Sequence, residues 1–319
     1  MNEKTKEDYR KLAAHFYKNM GESTPKTPKT ITDQLLAIAG EYRPASFRRL
    51  KNALALDQSE KGFDKAAFRI NATVNPMTKK NAPVMLKRQL KKKRKSVDSI
   101  NPKDLKKMAG AINEKGDSEL MAALILVNTL GCRANEIMSV KILEDGNVFI
   151  SGSKKAEFNA NGRKVTRGDV DRVLAMTDTN ELRKVKWATE TLGKAESGKS
   201  GVVHKIQSRM FRLSKKLWPK RSAHMTLKSF RHQMGSDLKA SGLDPKTVAY
   251  IMGHESTVSV EEYGDKRKAS TKRTIAPAID QEKINDIVRD KTKEQFETRT
   301  KNEKVQPRTR SVPGQSMEF

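Results

Sequence analysis

The chain has 319 residues, with 65 Lys and Arg against 38 Asp and Glu, a formal net charge of +27 and a pI near 10.0. That length holds about two domains on the usual size scale, and the charge points to a polyanion as partner, since a nucleic-acid binder uses such an excess to displace counterions from phosphates. One cysteine, Cys132, excludes an internal disulfide framework. Five His without ligand spacing argue against structural zinc, and the apolar stretch 120–130 is too short to span a bilayer.

In chain order, residues 1–29 read as a flexible N-terminal arm, because GESTPKTPKT collects Gly, Pro and Thr. Residues 30–86 read as a small helical module. ITDQLLAIAGEY has apolar residues at helical spacing, Pro44 restarts the chain, FRRLKNALAL continues the period, and a third helix is expected at 63–70. Residues 87–100 read as a basic linker, in which seven of the nine residues of KRQLKKKRK are cationic. On charge alone that run also suits a solvated segment, but in so basic a chain it fits a DNA backbone better. Helices are expected at 102–114, where Asn101-Pro102 gives an N-cap and a proline at the first helical position, and at 118–130, which is apolar nearly all round and closed by Gly131. NVFISGS and DRVLAMT alternate as strands around a long polar hairpin loop. Further helices are expected at 203–217 and 227–240 and after Asp244-Pro245. The fold class is mainly α with a small antiparallel β element, with a second domain over 101–275 and an amphipathic helix and disordered tail over 276–319.

Four sites gain meaning together. Arg133, at the turn after the apolar helix, can aim a planar fork of donors at a phosphate. On the next-but-one long helix Leu227, Phe230, Met234 and Leu238 form the apolar stripe, while Lys228 and Arg231, three apart, project beside it. Two adjacent cations repel unless an anion lies between them, although alone they also suit a solvated basic face. Gly253-His254 and, nine residues later, Tyr263 complete the set.

This ordered set resembles the tyrosine recombinase (phage-integrase-type) superfamily over roughly residues 100–270. The matching pieces are Arg133-x-x-Glu136, a strand hairpin bearing a Lys, a basic-x-x-Arg box from Lys228 to Arg231 followed by His232, the box Met252-Gly253-His254, and Tyr263 at its spacing. The first position of the third piece departs from the family, which usually has His where this chain has Lys228. A lysine there donates charge to a phosphate oxygen but cannot act as a neutral imidazole.

The resemblance implies a two-domain DNA clamp, with the helical module 30–86 as its DNA-binding domain and 101–275 as its catalytic domain, and a site-specific recombinase or integrase that cleaves and rejoins strands through a covalent 3′-phosphotyrosine on Tyr263. Arg133, Arg231, Lys228 and His254 would neutralise the transition state, and Lys154 would protonate the leaving oxygen, with Lys155 as its neighbour and rival. No metal, ATP or other cofactor is implied. The implied partner is double-stranded DNA with an inverted-repeat-like site, bound by a homo-tetramer that admits C-terminal helix exchange and an accessory or directionality factor. The location is cytoplasmic, or the host-cell interior for a viral element. Phosphate contacts are expected from Arg48, Arg49 and Lys51 and from Lys87, Arg88, Lys91, Lys92, Lys93, Arg94 and Lys95. The alternatives are a telomere resolvase, a type IB topoisomerase-like enzyme and a non-catalytic DNA binder on the same fold.

Overall fold

The computed structural model describes residues 3–21, 23–78, 97–153, 169–195 and 201–290. The chain divides into two compact units, Met1–Arg94 and Lys95–Phe319.

In the first unit, α1 (Glu3–Met20), α2 (Pro28–Ala37), α3 (Pro44–Glu60) and α4 (Asp64–Ala72) enclose one apolar core. Proline occupies the first turn of α2 and α3, where its missing N–H costs nothing. A Thr27–Thr30 capping box starts α2. Phe47, Leu50 and Leu54, at i, i+3 and i+7 of α3, are buried with Ile31, Leu35 and Ile70. The expectation of a flexible arm over 1–29 is corrected here. Residues 3–20 form a full helix packed on α3, with Ala13, Phe16 and Tyr17 buried. The charges of EKTKEDYRK mask a stripe whose apolar members fall at i, i+3 and i+4, and burying that stripe stabilises the helix. Tyr17 also donates to Asp57 Oδ2 at 2.8 Å, and burial beside that carboxylate raises its pKa.

In the second unit, α5 (Pro102–Glu114) leads to α6 (Ser118–Leu130), whose Leu120, Ala122, Ala123, Leu124, Leu126, Val127 and Leu130 are all buried. A helix apolar on every side must be surrounded, and α5, α7 (Thr179–Lys194), α8 (Val202–Leu217) and α9 (Leu227–Ala240) pack on it. Gly131 ends α6 with φ +61°, and a Cβ there would stand 2.6 Å from Met234 Cγ, so only glycine allows α9 this close.

Beside the helices lies an antiparallel sheet in the order β1-β2-β3-β4: β1 (Val140–Ile142), β2 (Val148–Ile150), β3 (Arg172–Met176) and β4 (Ile275–Pro277). The two expected strands are its centre, with Val148 opposite Leu174. The outer strands, of three residues each, are too short to carry a periodicity. The chain then forms α10 (Pro245–Ile251), α11 (Val258–Glu261) and α12 (Gln281–Ile287).

The boundary at 275 is corrected as well. β4 completes the sheet, and α12 lies on α10 of the same chain with Ile284 and Val288 buried, so this unit runs on to residue 290. The rest of the expected C-terminal helix and tail, from 291, lies outside the described residues. Among the described residues no helix is long and apolar enough to cross a membrane.

Candidate active site

Arg231 projects from α9 into the interior and is 2% exposed. Its Nη1 donates to Gly131 O at the end of α6. Its Nη2 donates to Met252 O and lies 2.9 Å from His254 Nε2. One guanidinium therefore ties together the ends of α6 and α10. Arg can only donate, so His254 Nε2 accepts, which leaves the imidazole proton on Nδ1. Arg231 Nε is buried and has no partner among the described residues, which leaves a donor for an anion.

His254 is placed by the turn after α10. Gly253, at φ +65°, reverses the chain, and the His254 N–H bonds back to Ala249 O at 2.8 Å. Glycine is required there a second way, because a Cβ would stand 2.3 Å from Arg172 Nη1.

Arg133 follows Gly131-Cys132. Its Nη1 bonds Glu136 Oε1 at 2.8 Å, and its Nη2 pairs with Asp169 Oδ1 at 2.9 Å. Glu136 is fully buried. It also accepts the Arg133 backbone N–H and, at 2.9 Å, Nη2 of the fully buried Arg172. Arg172, at the start of β3, was not singled out from the sequence. Its one signal is a charged residue at the head of an otherwise apolar strand.

Three guanidinium groups close together, two of them buried and Arg133 partly exposed, strain the electrostatics. Burial, then repulsion by Arg133 and Arg172, pulls Arg231 down to about 10. Burial, then Arg231, Arg133 and Arg172, pushes His254 down to about 2, so the ring is neutral. Burial pushes the Glu136 carboxyl up, but Arg172, Arg231 and Arg133 together outweigh it and hold the group at about 2. Cys132, 1% exposed beside these charges, has its thiol pushed up to about 12 by burial and by Glu136.

Tyr263 is half-buried beside this cluster. Its ring lies 4.9 Å from the Arg231 guanidinium carbon, 5.1 Å from the His254 ring and 5.0 Å from that of His232, with the exposed Lys228 Nζ 5.7 Å from its centroid. The next turn is clamped to α9. A Cβ on Gly264, at φ +68°, would stand 2.3 Å from Ser236 N, the Asp265 N–H bonds Ser236 Oγ at 3.0 Å, and Lys239 Nζ reaches Gly264 O at 2.9 Å. Farther on, Asp237 receives the Ser270 N–H and the Arg273 guanidinium, which fixes the return to β4.

Arg133, Lys228, Arg231, His254 and Tyr263 thus converge in one place, with Glu136, Arg172 and Asp169 beneath and beside them. Lys154 and Lys155 lie outside the described residues, as does the basic run from Lys87 to Lys95. In the first unit Arg48 and Arg49 are exposed on α3, Arg49 lying 3.6 Å from Asp8. Lys51 is different. Its Nζ donates to Asn71 O at 2.7 Å and Thr73 O at 3.3 Å, at the end of α4, so in this state its charge caps a helix terminus. Among the described residues no three His, Cys, Asp or Glu side chains could together hold a metal ion.

Residues 98–270 match the phage integrase family. Tyrosine recombinase XerC of Treponema denticola is 28% identical over 241 residues, which cover 69% of this chain and 72% of that protein. A lambda integrase tetramer bound to a Holliday junction is similar at TM-score 0.53 and 16% identity, covering 85% of this chain and 74% of that one. A lambda integrase (75-356) dimer bound to a COC′ core site is similar at TM-score 0.51 and 17% identity, covering 86% and 92%. At those identities the two structures speak for the fold, mostly helical with a small antiparallel sheet. The family match spans more than half the sequence and contains every side chain of the cluster, so the chain belongs to the phage integrase family of tyrosine recombinases.

Proposed function

We propose that this DNA strand-exchange protein carries out site-specific recombination with Tyr263 as its nucleophile. In the step proposed, the Tyr263 hydroxyl gives its proton to water while its oxygen bonds to a backbone phosphorus. The bond from phosphorus to the 5′-oxygen breaks, and that oxygen takes a proton from Lys154. The 3′-phosphotyrosine that remains conserves the bond energy, so a different 5′-hydroxyl can rejoin the strand without ATP. Arg133 and Arg231 would bind the non-bridging oxygens, with Lys228 at the rim and the His254 Nδ1–H as a neutral donor. Fixed donors in a desolvated site would then stabilise the pentacoordinate charge without a metal.

The observation that carries this reading is the Tyr263 ring lying within 4.9 Å of the Arg231 guanidinium of the same chain. The net charge of +27 supports a duplex as partner. Assembly as a tetramer on an inverted-repeat-like site, and phosphate contacts from Arg48, Arg49 and the basic run 87–95, belong to the same proposal.

The test is a nicked suicide duplex incubated in EDTA with wild type and Tyr263→Phe, then run on a denaturing gel. The expected result is an SDS-stable adduct from wild type only. Cleavage that needs a divalent metal and leaves no adduct would overturn the reading, and tight, salt-sensitive binding with no reaction would favour a non-catalytic DNA binder.

A further inference from the structure

Every residue from Lys266 to Lys272, just past the proposed nucleophile, is exposed, yet the backbone of this basic segment is pinned to α9. Two polar side chains hold it, and both are buried: Gln233 is 3% exposed and Asp237 2%. The Ile100 N–H donates to Gln233 Oε1 at 2.7 Å. That fixes the amide and turns its Nε2 towards Asp237 Oδ1 at 2.8 Å, Lys268 O at 3.0 Å and Ser270 Oγ at 3.0 Å. Asp237 Oδ1 accepts the Ser270 N–H at 2.9 Å and the Thr271 N–H at 3.4 Å, while Arg273 Nη2 pairs with Oδ2 at 2.6 Å.

Burying an amide and a carboxylate costs free energy unless their polar atoms find partners. Here the partners belong to an exposed segment, so two buried positions of the helix that carries Arg231 serve to hold a basic turn still. A solvated charged face needs no such bracing. The bracing also fixes distance. Gln233 and Asp237 stand two and six residues past Arg231, about 3 and 9 Å along the helix axis. Lys266 follows Tyr263 by three residues, so their Cα atoms lie within about 11 Å, a reach on the order of three nucleotides of duplex rise.

The charges on the turn differ in availability. Arg267 pairs with Asp265 at 2.7 Å and Lys268 with Asp98 at 2.8 Å, both at the surface, where such pairs are worth little and exchange for a phosphate. Lys266 and Lys272 make no ion pair among the described residues. The acidic residues just before Tyr263 are Glu261 and Glu262, and Glu261 shares a cleft with Lys239 and Lys246.

Building on the recombinase reading above, we propose that the turn Lys266–Lys272 is a phosphate-binding surface for duplex DNA, held by Gln233 and Asp237 at a fixed distance from Arg231. Lys266 and Lys272 seat the backbone that flanks the scissile phosphate, and they position the duplex without reading its bases. Because the turn is already ordered, little freedom is lost when the duplex arrives.

The probe is a labelled duplex titrated with full-length Tyr263→Phe protein, where no chemistry intervenes, with affinity read by anisotropy at several NaCl concentrations. Lys266→Gln with Lys272→Gln should weaken binding about tenfold or more at low salt and make the log–log slope shallower by about 2, one for each phosphate released. Lys115→Gln with Lys283→Gln removes the same charge from exposed lysines on other elements and should leave the slope nearly unchanged. An equal loss in that pair would mean a general charge effect and would overturn the proposal. Unchanged affinity and slope in the first pair would also overturn it, and would give the turn to an acidic protein surface instead. Gln233→Met loses every hydrogen bond to 268–270 while the lysines stay. Its slope should hold and its affinity fall about fivefold, since the turn must then be ordered on binding. Unchanged affinity there would overturn the bracing, and the surface lysine pair tests the site even where Gln233→Met lowers the melting temperature.

The second readout is adduct formation by proteins that retain Tyr263. The pair Lys266→Gln and Lys272→Gln should raise the half-saturating duplex concentration by the same factor as it weakens binding. A fall in limiting rate alone would place the turn in the chemistry and would overturn its assignment to binding. Absence of any wild-type adduct would overturn the nucleophile assignment, while the salt slope would still decide the role of the turn.

Discussion

Shut off from solvent, the Glu136 carboxylate stays ionised because Arg172 and Arg133 flank it, and this sets how the protein meets acid. Its folded pKa, about 2, lies below its ordinary 4.5, and that of His254, also about 2, lies below 6.5. Both groups bind protons more readily in the unfolded chain, so their contribution is complete above pH 6.5. It declines first as the unfolded-state imidazole protonates, and more steeply below 4.5, where Glu136 adds about 3 kcal/mol. Melting temperature against pH should start to fall near 6.5 in wild type and nearer 4.5 in His254→Asn. Coincident curves would mean that His254 titrates as it does in the unfolded chain. Glu136→Gln should cost about 3–5 kcal/mol in a denaturant melt, because it leaves Arg172 buried without its counter-charge. For Arg231→Lys the expected loss is in chemistry, about 100-fold or more in adduct rate, since a point charge replaces a braced fork.

At the scale of elements, the nucleophile is held by a glycine rather than by its own helix. Gly264→Ala adds a Cβ against the backbone of α9 at a positive φ, so it should undock Tyr263. Adduct rate should fall about tenfold or more while duplex affinity, measured by anisotropy, changes little. A matching loss of affinity would mean that the turn also carries the DNA contact. In the first unit, Phe16→Ala should cost about 3 kcal/mol by thermal melt, as α1 is part of the core.

These elements also mark what the sequence could reveal. Helices with caps and an apolar stripe, such as 102–114 and 227–240, were legible to the residue, as was the order of Arg133, Arg231, His254 and Tyr263. α1 was not, because its few apolar residues sit among charges and gain their meaning only against α3. β1 and β4 are shorter than any periodicity can register. Arg172 and Asp169 were missed for a further reason: each matters through a partner, Glu136 or Arg133, more than thirty residues away in sequence.

On the scale of the whole molecule, two units each close their own core, and the positive charge is spread over both. Binding dominated by phosphate contacts predicts that duplex affinity falls steeply with salt, with a log–log slope on the order of −5 or steeper. A slope near −1 would confine the interface to a single cation. The buried Cys132 gives the molecule an internal clock. It is the one thiol in the chain, walled into the second unit and held protonated, so a thiol-reactive dye added in excess can reach it only when that unit opens. The rate at which colour develops therefore times the opening of the core next to Arg133. A duplex that seats on the folded site should slow the clock in proportion to its occupancy, without any label having been introduced.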